Sequence, residues 1–258
     1  MADVLERILD AHRRAAAADH RPLDALVAEA ASRPAPRPFR AALEVPELSV
    51  VAEIKRRSPS RGDLAPGLVA GVLAKSYAAG GAAGLSVLTD AEFFGGSAAD
   101  LAEARAACEL PVLRKDFTVS ERDVCDARLI GADALLLIVA GLDDRELAVL
   151  HRLAEELSLA ALVEVHDERE LDRALVAGAT LVGVNQRDLR TFEVDRERAE
   201  RVRARVPAGV VTVAESGIRD GADAARLASA GYDAILVGET LVTAADPGAA
   251  LRSLVPSP

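Results

Sequence analysis

Eight short apolar runs, separated by longer stretches of helical periodicity, constrain this chain more than any other feature. They are LSVVAEI (48–54), GLSVLT (84–89), PVLRK (111–115), ALLLIV (134–139), LAALVEV (159–165), TLVGVN (180–185), GVVTVAE (209–215) and DAILVG (233–238). Most are apolar at odd and even positions alike. That is the pattern of a strand buried on both faces, in a parallel sheet with helices outside it. Strands alternating with helices imply an α/β fold. Eight such units imply a (β/α)8 TIM barrel rather than a doubly wound sheet. An internal echo agrees: AGGAAGLSV, IGADALLL, AGATLVGV and AGYDAILV precede or enter every second run. Each carries a glycine (Gly81, Gly131, Gly178, Gly231) where a helix should end. The glycines recur about every two βα units, as four similar double units would place them.

The segment before the first run differs. Residues 2–18 read as an amphipathic helix with Leu5, Ile8 and Leu9 on one face, and residues 22–31 as a second helix. SRPAPRPFR (32–40) holds three prolines and reads as a stiff connector. The expected organisation is a helical extension with its Pro-rich connector (1–47), then a barrel catalytic domain (48–258).

Composition narrows the partners. Net charge is −10, from 31 basic and 41 acidic residues, which argues against a nucleic-acid backbone. No apolar run approaches the roughly 20 residues of a membrane helix, and MADVLERILDAHRR lacks an apolar signal core. A cytoplasmic protein is expected. Cys108 and Cys125 both fall in predicted helices and match no disulfide or metal pattern. His12, His20, His151 and His166 are scattered, so no zinc-type cluster is expected.

In such a barrel, chemistry sits at the C-terminal ends of the strands. The first run ends in Glu53 and Lys55, the second in Thr89 and Asp90, the third in Lys115 and Asp116. The fifth offers Glu164, the sixth Asn185 and Arg187, the seventh Glu215 and Ser216, and the eighth Gly238. The fourth offers only apolar residues and Ala140. Residues two apart share a face of a strand. If that face is inward, Glu53, Lys55, Lys115, Glu164, Asn185, Arg187 and Glu215 converge over the mouth. Ion pairing and burial would then set their pKa values against one another, as general acid–base work requires. Singly, each is as readily a solvated loop residue; polar placement at six strand ends is the stronger observation.

AESGIRD (214–220) and VGETLVTA (237–244) follow the last two strands, where barrels often hold phosphate on backbone N–H groups. Ser216, Gly217, Gly238 and Glu239 suit that cup, provided the Glu239 side chain turns outward. Lys55 and Ser58 would close it. The alternative is that the glycines only make tight turns. Of five Phe, four (Phe93, Phe94, Phe117, Phe192) lie in loops on this face. They either anchor loops or form a slot for a ring-bearing substrate. His166 is either a helix-start residue or a catalytic one, and Asp167 and Asp188 are either caps or turn residues.

The motifs AEIKRRSPS, LSVLTD-AEFFGGS, VLRKDF, LVEVHDE, GVNQRDLRTF, VAESGI and LVGETLV occur in this order from about residue 48 to 247. Together they resemble the motif series of the indole-3-glycerol-phosphate synthase family, and the N-terminal helices resemble the extension that family places over its barrel. The resemblance implies a lyase of tryptophan biosynthesis. Its substrate would be a phosphorylated small molecule, 1-(2-carboxyphenylamino)-1-deoxyribulose 5-phosphate, converted to indole-3-glycerol phosphate, CO₂ and water. It implies no metal and no cofactor; with the composition above, no nucleic acid and no membrane are expected as partners, and a monomer or weak homo-oligomer is expected. It also implies roles. Lys115 matches the acid of ring closure, Glu164 an acid–base carboxylate, Lys55 a substrate lysine and candidate dehydration acid, and Glu53 a base or proton shuttle. Asn185 and Glu215 match residues ordering hydroxyls and lysines, and Arg187 one orienting the substrate. Ser216, Gly217, Gly238 and Glu239 match the phosphate cup, while Ser58, Phe94, Phe117 and Leu236 match the pocket lining.

Gln186 departs from the usual small or amide residue; as an outward side chain it should matter little. The basic loop RRSPSRGD should help attract an anionic substrate. The alternatives are another phosphate-binding barrel enzyme, such as phosphoribosylanthranilate isomerase, or a non-catalytic barrel subunit. Strand ends without a Cys disfavour the first, and the intact polar set disfavours the second.

Overall fold

The computed structural model describes residues 4–188, 191 and 193–254. All eight apolar runs form strands: β1 (Ser49–Ile54), β2 (Gly84–Leu88), β3 (Val112–Lys115), β4 (Ala134–Ile138), β5 (Ala160–Val165), β6 (Leu181–Asn185), β7 (Val211–Glu215) and β8 (Ala234–Val237). Each pairs in parallel with the next, and β8 pairs back onto β1 with Leu236 opposite Val51, closing a barrel. Two helices precede it, α1 (Val4–Ala18) and α2 (Leu23–Ala31). The strands alternate with α3 (Ala70–Gly80), α4 (Ala98–Ala107), α5 (Glu121–Leu129), α6 (Asp144–Glu156), α7 (Glu168–Val176), α8 (Arg196–Arg203) and α9 (Gly221–Ser229). The four-residue α10 (Glu239–Val242) and α11 (Pro247–Leu254) complete the ring.

The repeated glycines stop helices as their spacing predicts. Gly81, Gly131, Gly178 and Gly231 have φ of 92°, 90°, 96° and 89°, a left-handed geometry costly for other residues. The next amide then reaches back to a carbonyl five residues earlier, as from Ala132 to Ala127 (2.9 Å) and from Ala179 to Ala174 (3.0 Å). Asp167 proves to be a helix cap, accepting from the amides of Arg169 and Glu170 at the start of α7. Cys125 lies in α5, but Cys108 is extended (φ −155°) just past the end of α4, so only one cysteine is helical.

Strand parity divides the core in two. Val50, Ala52, Ile54, Leu135, Leu137, Val163, Val165, Val182 and Val184 face the helices. Val51, Leu113, Ala134, Leu136, Leu162, Leu181, Val211, Val213 and Leu236 fill the barrel interior. The connector contributes to the interior too. Phe39 and Leu43, 1% and 0% exposed, belong to this inner core. The Phe39 ring lies 3.2 Å from where a Cβ on Gly84, the first residue of β2, would stand, so it plugs the N-terminal end of the barrel. The proline-rich segment is thus a floor as well as a spacer.

Candidate active site

The inward parity of each strand continues into its polar end. Glu53 follows Val51, Lys115 follows Leu113, Glu164 follows Leu162, Asn185 follows Leu181 by way of Gly183, and Glu215 follows Val213. The same alternation that fills the interior with branched residues therefore aims these side chains at the C-terminal mouth. They border a cavity of about 380 Å³, in the size range of small-ligand sites.

Lys115 is at its centre. Its Nζ lies 2.9 Å from Glu164 Oε2 and 3.1 Å from Glu215 Oε2. Asn185 Nδ2 donates to the other Glu164 oxygen at 3.2 Å, and Asn185 Oδ1 accepts the Arg187 amide at 3.0 Å. Burial works against the Lys115 charge, but Glu164, Glu215 and Glu53 outweigh it and raise its pKa. Burial likewise works against ionised Glu164, yet Lys115, His166 and Asn185 hold it below the usual carboxylate range. Glu215 goes the other way: burial, with the Glu164 and Glu53 charges, outweighs Lys115 and pushes it up to about 7. Its Oε1 is buried with no hydrogen-bond partner, a poor setting for an anion. Two carboxylates that share one lysine are thus pushed apart in acidity, the condition for one base and one proton carrier near neutral pH. Space for this comes from Gly183, where any Cβ would run into Glu215 Oε1.

Glu53 and Lys55 pair with each other at 2.5 Å, and Gly238 leaves room for both: a Cβ there would run into Glu53 Oε1 and stand 3.2 Å from Lys55 Nζ. Lys55 therefore sits between the acid–base group and the proposed phosphate cup. Ser58, Ser216, Gly217, Gly238 and Glu239 all border the cavity. Ser216 and Gly217 have φ of 67° and 73°, and a Cβ on Gly217 would stand 2.6 Å from Val194 Cγ1. Glu239 turns to Arg61, 3.2 Å away. Leu236 and Phe94 line the apolar wall with Phe117, whose ring is 6.3 Å from that of Phe94. Arg187 lines the cavity as well; Phe192 lies outside the described residues.

One expectation needs correction. Gln186 does point away from the interior, yet it is fully buried. Its Nε2 donates to the Ser216 carbonyl at 2.7 Å and its Oε1 accepts from Arg226 at 3.2 Å. Outward in a barrel means under the helices, not into water, so this amide supports the left-handed turn at Ser216. In the basic loop, Arg56 is bonded to Asp100 (2.5 Å) and Arg57 to the Glu92 carbonyl (2.7 Å). Arg56 thus ties the loop to α4 and Arg57 ties it to the loop after β2, while Arg61 of the same stretch borders the cavity.

Other residues of the site escaped sequence reasoning. Val4, Leu5 and Ile8 of α1 border the cavity, so the apolar face of this helix roofs the mouth. His12 on the same helix has its Nε2 3.0 Å from Asp90 Oδ2 and 3.8 Å from Asp116 Oδ1, with its ring 5.4 Å from that of Phe117. These three groups bring possible ligand atoms within 4.8 Å of one another. However, Asp90 also accepts the Phe93 and Phe94 amides, and Asp116 accepts from Thr89, Arg114 and the Phe117 amide. The cluster is a latch between helix and loops. Asp90 and Asp116 were visible as strand-end polar residues; a partner 78 residues earlier in the chain was not.

Comparison with known proteins agrees with this geometry. The family model described as indole-3-glycerol phosphate synthase matches residues 5–254. Indole-3-glycerol phosphate synthase 2 of Streptomyces coelicolor is 54% identical over 88% of this chain and 88% of its own length. The proteins named indole-3-glycerol phosphate synthase in Parafrankia sp. and Mycobacteroides abscessus are 52% and 49% identical over 98% of this chain, and over 95% and 93% of their own lengths. Among solved structures, thiamine phosphate pyrophosphorylase from Pyrococcus furiosus superposes with a TM-score of 0.61 at 18% identity, covering 84% of this chain and 95% of its own. N-acetylmannosamine-6-phosphate 2-epimerase from Clostridium perfringens gives 0.62 at 15%, covering 77% and 89%. The last two share the fold alone. With a family model spanning nearly the whole chain and relatives at about half identity, the chain belongs to the indole-3-glycerol phosphate synthase family.

Proposed function

We propose that the barrel mouth closes an indole ring, with Lys115 as the acid of that step. Membership of the family makes the chain a decarboxylating lyase of tryptophan biosynthesis. Its reaction converts 1-(2-carboxyphenylamino)-1-deoxyribulose 5-phosphate to indole-3-glycerol phosphate. The ring carbon bearing the carboxylate attacks the ribulose carbonyl, whose oxygen must gain a proton as the bond forms. CO₂ then leaves and restores aromaticity, and loss of water completes the pyrrole ring.

The single observation carrying this reading is Lys115 Nζ between Glu164 (2.9 Å) and Glu215 (3.1 Å) at the centre of the mouth. A lysine held protonated there can deliver its proton to a carbonyl oxygen and recover one from a neighbouring carboxyl group. Glu215, half protonated near pH 7, is the group suited to resupply it. Glu164 stays ionised and balances the positive charge that develops on the anilinic nitrogen. Lys55, with Glu53 at 2.5 Å, is placed to protonate the departing hydroxyl during dehydration, and Glu53 to take the proton lost from carbon. Asn185 and Arg187 orient the sugar hydroxyls and the carboxylate. The Phe94–Phe117 wall takes the aromatic ring. Ser216, Gly217, Gly238 and Glu239 bind phosphate through backbone N–H groups, which at the start of α10 have no intrahelical partner, while Ser58 and Leu236 complete the lining. This arrangement operates as a barrel domain of residues 48–258 under a helical extension of residues 1–47, in the cytoplasm, as a monomer or weak homo-oligomer. No described helix is long and apolar enough to cross a membrane.

The test is substitution of Lys115 by Ala. Loss of the ring-closure acid lowers kcat at least about 10²-fold; a fall of only a few-fold would remove Lys115 from that role.

A further inference from the structure

Behind Glu164 lies a group that the roles above leave unused. His166 follows β5 directly and its side chain is 12% exposed. Its Nδ1 is 3.0 Å from Glu170 Oε2, which also accepts the His166 amide at 2.8 Å. One carboxylate oxygen thus fixes both the backbone and the ring. The other ring nitrogen, Nε2, is buried, has no hydrogen-bond partner, and lies 3.4 Å from Glu164 Oε1. That is the oxygen on which Asn185 donates, whereas Lys115 occupies Oε2.

The two charge states of the ring are not equivalent here. A neutral imidazole that gives its one proton to Glu170 turns a lone pair at Nε2 toward a buried carboxylate, which is repulsive. A doubly protonated ring presents an N–H to a carboxylate at each end. The charged groups around it are Glu164 on β5, Glu170 on α7 and Arg198 on α8. Burial and Arg198 oppose protonation, while the two glutamates favour it and prevail, so the ring titrates above its ordinary range.

We propose that His166, aimed by Glu170, is a second cation on Glu164: a positioning residue that keeps this carboxylate ionised and oriented when Lys115 passes its proton to the substrate. The inference rests on the assignment of Lys115 as ring-closure acid. While Lys115 is protonated, Glu164 has two cations near it. After transfer the protein itself supplies one, and that one is His166, which holds its own proton throughout. Without it, Glu164 would be a buried anion beside a neutral amine, and would draw back the proton that the substrate oxygen must keep.

The experiment has two arms. In protein labelled with ¹⁵N-histidine, whose four His are resolved by substitution, both His166 ring nitrogens should be protonated at about pH 6, below the ordinary imidazole midpoint. The His166 midpoint should lie above 6.5 and fall by about 0.5 or more in Glu164→Gln and in Glu170→Gln. In the kinetic arm, His166→Asn should lower kcat about tenfold with KM within twofold, and Glu170→Gln should lower it in the same sense by less. A His166 midpoint at or below 6.5, indifferent to both glutamates, would overturn the proposal. So would unchanged kcat in His166→Asn, or equal losses of kcat and folded fraction in both variants. Failure of Lys115→Ala to lose activity would remove the parent assignment, yet leave the NMR result standing on its own.

Discussion

Glu215→Gln should make the protein more stable while making it a worse enzyme. The side chain is 2% exposed, and its pKa is pushed up to about 7 from an ordinary 4.5, by burial first and by Glu164 and Glu53 next. A carboxyl that binds its proton more tightly folded than unfolded destabilises the fold when ionised. The cost is absent below about pH 4.5, grows as pH rises toward 7, and is constant above. At 1.36 kcal/mol per tenfold, the plateau is about 3 kcal/mol. Glutamine keeps the shape, has an oxygen for Lys115, and carries no charge to desolvate. The variant should therefore exceed the parent by about 3 kcal/mol at pH 8.5 but by only about 1 kcal/mol at pH 5.5. Urea unfolding at the two pH values reads this directly, because a shifted midpoint at constant slope is a stability change. Activity should fall about 10²-fold as proton resupply is lost. A stability difference that does not depend on pH, or a variant less stable than the parent at pH 8.5, would refute the assignment of Glu215 as a strained, half-protonated group.

Three further outcomes follow from contacts at the mouth. Gly183→Ala places a methyl where Glu215 Oε1 stands; overpacking should cost about 1–3 kcal/mol in urea unfolding and displace the carboxylate, with kcat falling more than Tm accounts for. Gln186→Leu strips the Ser216 carbonyl of its donor and buries no polar group in its place; about 1–3 kcal/mol is lost, and KM for the phosphorylated substrate should rise while kcat holds, if the proposed phosphate cup and not the acid–base group is loosened. His12→Leu breaks the latch to Asp90. Burial lowers the His12 pKa, but Asp90 and Asp116 raise it further, for a net increase. The latch therefore contributes fully below about pH 6.5 and is lost as pH rises through the raised value. Comparison of parent and variant Tm should show a larger gap at pH 5.5 than at pH 9; an equal gap would mean the contact is merely steric.

How much of this was legible in the chain depends on whether the signal was local. The strands were readable because a parallel barrel buries both faces, leaving continuous apolar runs such as ALLLI in β4. Helix ends were readable because Gly131 and its counterparts answer a local backbone demand. Glu53, Lys115, Glu164, Asn185 and Glu215 were readable because strand parity carries inwardness two residues beyond an apolar position. Pairings across the barrel were not. Nothing local says that Lys115 will choose Glu164 and Glu215 while Lys55 keeps Glu53, since barrel closure decides those distances. The same holds for His12, which meets Asp90 only because α1 folds over the mouth. Phe39 was read as part of a connector and proved to be the floor. Gln186 was misjudged because parity distinguishes inner from outer face but not covered from exposed.

The most direct test of the account is turnover itself. Purified protein given 1-(2-carboxyphenylamino)-1-deoxyribulose 5-phosphate, without added metal or cofactor, should produce the fluorescence of indole-3-glycerol phosphate with release of one CO₂. The signal should fall at least about 10²-fold in Lys115→Ala. Absence of any signal from the unaltered protein at micromolar concentration would contradict it.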